Sequence, residues 1–472
     1  MNNSTTPMKF TPTRTERILV FRSAVRCVLG VFSLLLFVTT PGQAQTPAPD
    51  QKTISLEELQ QMALKNNPTL AQAIANIRAA EGRKQQSGLY PNPTVGYQGE
   101  EIRGGSFRGG EQGFFVQQNI VTAGKLGLNR NIFEQEKRQA ETEADEQKLR
   151  VATNVKMSYI QALAAQQTLE LRRSLSKLAQ DTVGTSRQLA NVGQADAPDV
   201  LEAEVEGQQA ELALTMAEQN QQRVWKELAA VVGDPNLHLM RLEGTLEDMT
   251  AGDADGLVET IVNESPAVKI AELGVKKAEA NLARAKHEPI PDLQLRAGMQ
   301  QNRELLDTTG RPTGLQGFAE VGVQIPIFNH NQGNTTTSKA DLDRAQREVE
   351  RVKLALRERA ASVVQSYAYS QAAAARYKNE MIPRARKAYE MYVKKYQQMA
   401  AAYPQVLIAQ RTLMQLQVFY VNALEGSATN SVALQSYLLT DGLEAPSQPG
   451  EIDRPVREMN VPFQRSPSSK ER

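Results

Sequence analysis

Apolar residues in this chain follow two periods, and the period changes at pairs of prolines. Each half opens on helical spacing. In the first half, Ser55 and Glu58 form a capping box, with Ile54 and Leu59 placed as a hydrophobic staple. In the second half Asp253 takes the cap position, and Gly256 stands in place of the glutamate. Each helix runs to a proline pair, Pro91/Pro93 and Pro289/Pro291, where helix cannot continue. Beyond the prolines the period falls to two. Leu293, Leu295, Ala297 and Met299 alternate with Asp292, Gln294, Arg296 and Gln300. Over 318–327, Ala319, Val321, Val323, Ile325 and Ile327 alternate with Glu320, Gly322 and Gln324. In the first half, Val95 and Tyr97 alternate with Gln98 and Glu100, and Phe114, Val116 and Ile120 with Gln117 and Asn119. The turns between these runs carry Gly104, Gly105, Gly109 and Gly110, and then Gly310, Pro312 and Gly314. The pattern predicts one hairpin per half, with strands about 93–103 and 112–121, then 291–301 and 317–328. Such strands are about ten residues long, enough to cross a bilayer on a tilt. A hairpin packed on a soluble core would show the same alternation.

Very long helices follow. No proline interrupts Lys125 to Ala190, and at 1.5 Å per residue that span reaches about 100 Å. Its stretch from Glu134 to Lys148 is almost wholly polar, which predicts water or thin partners on both sides. The second long helix spans about 335–399, with one break at Pro383. Turns at 191–198 and 400–404 lead into return helices at 199–232 and 405–439. Leu201, Val205, Leu212, Leu214 and Met216, with Leu407, Leu413, Leu416 and Phe419, read as packing residues.

The two halves are copies. Pro68, Pro91 and Pro93 recur 198 residues later as Pro266, Pro289 and Pro291. Gln118, Pro198, Val200, Leu201, Ala203, Gln209 and Leu228 recur 206 residues later as Gln324, Pro404, Val406, Leu407, Ala409, Gln415 and Leu434. The chain is a tandem duplication, with repeats at 45–248 and 249–442, and such units stack to bury their apolar faces.

Composition narrows the setting. Lys9, Arg14, Arg17, Arg22 and Arg26 precede an apolar run from Val28 to Val38, and Gly42-Gln43-Ala44 offers a cleavage site, so 1–44 reads as a signal peptide. Cys27 is the only cysteine and lies in that segment, which excludes thiol chemistry from the mature chain. Net charge is +1, which gives no basic bias toward nucleic acid. Mean hydropathy is −0.45, and no run past the leader is long enough for a membrane helix. A soluble periplasmic protein and an outer-membrane β-protein both fit. His238, His287 and His330 lie far apart, and neither they nor the 13 methionines are spaced as metal ligands. No phosphate loop or nucleophile motif occurs, so the reading is no enzyme, no cofactor and no resident metal. Trp225 reads as a packing anchor, Asp234-Pro235 as a turn between the copies, and 443–472 as a disordered tail.

Four strands cannot close a barrel, and lipid does not tolerate an open sheet edge. If the strands cross a membrane, several chains must pool them in a closed ring, and three chains give twelve. Leu295, Val321 and Val323 then face lipid, while Gln294, Arg296, Glu320 and Gln324 face the lumen. The long helices continue the barrel as a tube. Its far end holds Gly193, Asp196 and Asp199 from copy one and Tyr403, Pro404 and Gln405 from copy two. There Asp199 either caps the return helix or joins Asp196 in an acidic ring at the entrance.

The order of elements, given twice, resembles the TolC family of outer-membrane efflux proteins. The motifs that carry the resemblance are Asn67-Pro68, Tyr90-Pro91-Asn92-Pro93, Val192-Gly193, Asp199-Val200-Leu201-Glu202-Ala203 and the segment from Ile325 to Gly333. That last segment is similar to the heavy-metal (Czc-type) branch. The resemblance spans roughly 52–442. It implies an α+β membrane protein: a homotrimer with a 12-stranded outer-membrane β-barrel and a periplasmic α-helical tunnel. It further implies an outer-membrane efflux duct for drugs or metal ions, with outer-membrane lipid around it. A periplasmic adaptor and an inner-membrane pump would be its partners. Gln405 and Met399 stand where Asp199 and Gly193 repeat, a departure from the acidic turn usual in the family's second copy. The alternative is a periplasmic coiled-coil adaptor or scaffold, against which the alternating strands argue.

Overall fold

The structure, a computed structural model, describes residues 53–102, 110–193, 195–249, 256–305, 310–398 and 403–446. The expected leader, the glycines at 104, 105 and 109, the cap Asp253, Met399 and the tail from 447 lie outside the described residues. Copy one runs β1 (Thr53–Ile54), α1 (Leu56–Asn66), α2 (Pro68–Ser87), β2 (Thr94–Glu100), β3 (Glu111–Ile120), α3 (Lys125–Asn191) and α4 (Ala197–Val232). A link follows through β4 (Arg241–Leu242) and a 3₁₀ turn, Leu246–Met249. Copy two runs α5 (Leu257–Glu264), α6 (Pro266–His287), β5 (Leu293–Leu305), β6 (Pro312–Val323), α7 (Gln332–Arg376), a π-helical turn (Tyr377–Met381), α8 (Ile382–Gln397) and α9 (Tyr403–Gln435).

Local chemistry starts the helices. The Glu58 N–H donates to Ser55 Oγ at 3.3 Å, and the Ser55 N–H donates to the Glu58 carboxylate at 3.2 Å. Two orphan donors are thereby satisfied at one helix end. Asn67 caps α2 through the Thr69 N–H at 3.0 Å, and Ser265 caps α6 through the Val268 N–H at 3.3 Å. Proline opens both helices, where its missing N–H costs nothing.

The two hairpins merge into one antiparallel sheet of order β2-β3-β5-β6. The register lines up the apolar face in rungs: Tyr97, Phe114 and Met299 in one, Val95, Val116, Ala297 and Ala319 in the next, then Gln118, Leu295 and Val321. Most of these apolar side chains are exposed within the chain. The strand expected to reach 328 ends at Val323, because Pro326 has no N–H to give the ladder.

Helix α3 is continuous for 67 residues, about 100 Å at 1.5 Å per residue. Its copy-two counterpart is not. Pro383 removes a donor, and the ladder widens into the π turn just before it. The polar stretch of α3 is less solvated than its composition suggests: Gln135, Glu136, Gln139 and Gln147 are buried. Each meets a partner there. Gln139 Nε2 donates to the Ile270 carbonyl at 3.2 Å, and Gln147 Nε2 to Thr69 Oγ1 at 2.8 Å.

The main core joins α1, α3, α4 and α9 around Tyr159, Leu163, Leu228 and Trp225. Trp225 Nε1 donates to the Leu237 carbonyl at 2.9 Å, and Tyr159 Oη to the Glu243 carbonyl at 2.6 Å. A second core gathers α5, α6, α7 and α9 around Ile261, Leu356 and Leu434. Several expected packing residues stay outside these cores. Leu201, Val205, Leu212, Met216 and Phe419 are exposed, whereas Leu407 is buried. The stripe of Leu201, Val205, Leu212 and Met216 on α4 has the right spacing, but among the described residues no helix covers it. The last helix stops at Gln435 and not at 439, because Tyr437 and Leu438 turn to positive φ. Residues 443–446, expected within the tail, are held in place: Gln147 Nε2 donates to the Glu444 carbonyl at 3.1 Å, and Arg150 pairs with the Glu444 carboxylate at 2.7 Å.

Candidate channel surfaces

Two regions carry the residues expected to act: the polar face of the sheet and the turns of the helical hairpins. On the sheet, Arg296 is the centre of the polar face. Its guanidinium donates to Gln98 Oε1 and, at 3.4 Å, to the Glu320 carboxylate. It also lies 4.4 Å from the centre of the Phe115 ring and 5.5 Å from that of Phe318. Two aromatic faces and a carboxylate therefore hold one cation. Phe115 and Phe318 share a rung with Gly96 and Gly298. A Cβ on Gly96 would stand 2.5 Å from Phe115, and one on Gly298 2.7 Å from Phe318, so the rings lie over the glycines.

Sequence reasoning missed both phenylalanines. Each breaks the alternation in a direction that reads as noise unless the cross-strand register is known. Farther along, Asn302 is buried and donates to Glu111 Oε1 at 2.7 Å, with Gln300 bonded to the same carboxylate. Gln294 and Glu320 are exposed within the strands, whereas Gln324 falls one residue past the end of β6.

The sheet is fastened to the helices by Asp292, just ahead of β5. Lys125 Nζ reaches it at 3.0 Å and the Thr122 N–H donates to it at 3.0 Å. Burial opposes its charge, but these donors prevail and hold the carboxyl below its usual range. About three turns farther along α3, Glu136 is buried between Lys277 of α6 at 2.8 Å and Arg83 of α2 at 2.6 Å. Burial again works against ionisation, and the two cations outweigh it. The pairs Lys84–Glu134 at 2.9 Å and Lys137–Glu81 at 2.8 Å complete a ladder between α2 and α3.

At the other end of the helices, Ala203 of α4 and Leu407 of α9 pack in one small cluster with Val183 and Tyr396. The turns of both copies are thus brought to the same end. Arg187 grips Glu204 at 2.7 Å within copy one, and Arg411 reaches from copy two to Glu206 at 2.7 Å. Gly193 takes φ +72°, the left-handed conformation that stops α3 without strain only for glycine. Asp199 is not the cap of the return helix. Helix α4 begins at Ala197, Asp196 occupies the cap position without a side-chain cap bond, and Asp199 sits in the first turn. The reason is Pro198, which fits the first turn of a helix and lets α4 start before it. Tyr403 begins α9, with Pro404 in its first turn and Gln405 exposed beside it. Among the described residues no group of three or more metal-binding side chains occurs, and no helix is long and apolar enough to cross a membrane.

The family model of outer membrane efflux proteins matches residues 59–234 and 257–438, one match to each copy. The chain is 24% identical over 371 residues to the cobalt-zinc-cadmium resistance protein CzcC of Cupriavidus metallidurans, covering 79% of this chain and 86% of that one. Among solved structures it resembles the outer membrane protein VceC of Vibrio cholerae, with a TM-score of 0.66 at 20% identity, over 82% of this chain and 97% of that one. CusC gives a TM-score of 0.66 at 17% identity, over 81% and 91%. A periplasmic adaptor is thereby set aside. The chain belongs to the outer membrane efflux protein family, and its work is that of an efflux channel at the outer membrane.

Proposed function

We propose that three copies of this chain close a twelve-stranded barrel in the outer membrane, and that their long helices form a periplasmic tunnel docking an adaptor and an inner-membrane pump. The observation that carries this reading is the four-stranded sheet with an exposed apolar face, whose outer edges on β2 and β6 pair with no strand among the described residues. Such a sheet is stable in lipid only when further strands close it. Solutes pass without chemical change, and the chain acts as a duct, not an enzyme. Divalent cations are the cargo to test first, given the cobalt-zinc-cadmium resistance named for the relative CzcC.

The polar face bearing Gln294, Arg296 and Glu320 lines the barrel lumen in this reading, and Gln324 lies at its rim. The turns with Gly193, Asp196 and Asp199 and with Tyr403, Pro404 and Gln405 surround the tunnel entrance. Asp196 and Asp199 then ring it three times over, and their charge favours cation entry. Bilayer recordings test this. The wild-type protein opens cation-preferring channels, and the Asp196→Asn, Asp199→Asn double variant opens channels with lower cation preference while its assembly is unchanged. Neither acid makes a side-chain cap bond, so helix α4 is spared. Equal selectivity in the two proteins would remove these acids from the mechanism, and no conductance from the wild type would remove the duct.

A further inference from the structure

The link between the two copies is tacked down at two points after α4. Trp225 Nε1 holds the Leu237 carbonyl at 2.9 Å, and the Leu242 N–H donates to Gln166 Oε1 at 3.0 Å. Leu242 also pairs with Ile54 in the parallel bridge of β1 and β4. Between these points the link, α3 and α4 enclose a pocket of about 420 Å³, within the size range of small-ligand sites. Its part of α3, Gln166 to Arg173, lies about 60–70 Å along the helix from Lys125, away from both the sheet and the turns.

The lining is apolar on one side and donor-rich on the other. Leu169, Leu239 and Met240 supply the apolar part. Gln166 uses its carbonyl oxygen on Leu242, which leaves its amide NH2 group for a ligand, and Gln221 brings a second amide. Arg173 and Arg241 supply two guanidiniums against the single carboxylate of Glu170, an excess of one positive charge that suits a monoanion. Both cations are loosely held. Arg241 reaches Glu170 at 3.3 Å and Arg173 reaches Glu218 at 3.8 Å, and all four side chains are about half exposed. Exposed pairs of this kind contribute little, so either guanidinium turns to a better acceptor at small cost. The acceptor that fits a planar fork of N–H groups is a carboxylate.

We propose that this pocket binds the C-terminal end of a short peptide. The terminal carboxylate lies on Arg173 and Arg241, and the last peptide unit bonds to the amides of Gln166 and Gln221. An apolar final side chain rests on Leu169, Leu239 and Met240. This is a binding activity beyond that of a duct, and it does not depend on how the strands close.

Equilibrium dialysis of the whole protein in mild detergent tests it, with radiolabelled N-acetyl-Ala-Ala-Leu and its C-terminal amide as probes. The acid should bind, and the amide about tenfold more weakly, the loss expected when a charge-assisted hydrogen bond becomes a neutral one. The Arg173→Gln, Arg241→Gln double variant should bind the two probes equally weakly. Its melting temperature should match the wild type, because both arginines make only exposed pairs. Equal affinity of the wild type for acid and amide would overturn the carboxylate site. Binding of neither probe would overturn the pocket as a peptide site. Maleimide labelling of Leu239→Cys supplies an independent reading, since the only cysteine of the chain, Cys27, lies in the expected leader. The acid should slow that labelling and the amide should not. A Leu239→Cys that never labels would mean that a neighbouring copy covers the pocket, and the proposal falls in that case too.

Discussion

Val116→Arg should cost about 2–4 kcal/mol of assembly stability, the penalty for a cation at mid-depth on the lipid face of a barrel. Val116 shares a rung with Val95, Ala297 and Ala319, midway along the sheet, and it is exposed there. Gln117→Glu, one residue on, lies on the polar face directly opposite Arg296 and should assemble normally. Val323 makes a third comparison. It belongs to the terminal rung, so Val323→Arg should cost only about 0–1 kcal/mol, as at an interface. Denaturant titration of the three purified variants in lipid gives the order. Equal losses at Val116 and Gln117 would mean that the assignment of the two faces is wrong.

The second large effect is expected at Glu136. It is the one carboxylate between the buried ammonium of Lys277 and the guanidinium of Arg83, and it joins α2 and α6 across α3. Glu136→Ala leaves Lys277 buried without its partner and should cost about 3–5 kcal/mol, seen as a large drop in melting temperature. Arg83 is far more open to water, and Arg83→Ala should cost at most about 1 kcal/mol. The same pair fixes a pH dependence. The folded state lowers the Glu136 pKa, so its contribution is complete above the ordinary carboxylate range and is lost as pH falls through the lowered value. Acid should therefore destabilise the wild type more steeply than Glu136→Gln, whose side chain does not titrate. Parallel acid profiles for the two proteins would deny Glu136 this role.

Much of this architecture is legible in the sequence because its signals are local or periodic. The capping box at Ser55, the prolines that end α2 and α6, and the alternation along β5 each act within a few residues. The duplication supplies the order of elements without any contact being known. What is hidden depends on neighbours distant in the chain. Phe115 and Phe318 belong to the polar face only because β3, β5 and β6 bring them around Arg296. Glu136 looks solvated from its surroundings in sequence, and only the approach of α6 shows it buried. Helix ends hide for another reason. Asp196 and Asp199 are both good capping residues, and Pro198 between them decides which one the helix uses. The stripe of Leu201, Val205, Leu212 and Met216 reads as a packing surface, but among the described residues it lies exposed. In the proposed closed ring such a stripe would face a neighbouring copy.

The pooling of strands is the central claim, and particle mass tests it most directly. The protein extracted from outer membranes into mild detergent should carry β-sheet signal and weigh three chains, with crosslinking that stops at three. A particle of one chain that keeps its β-sheet signal would contradict the account.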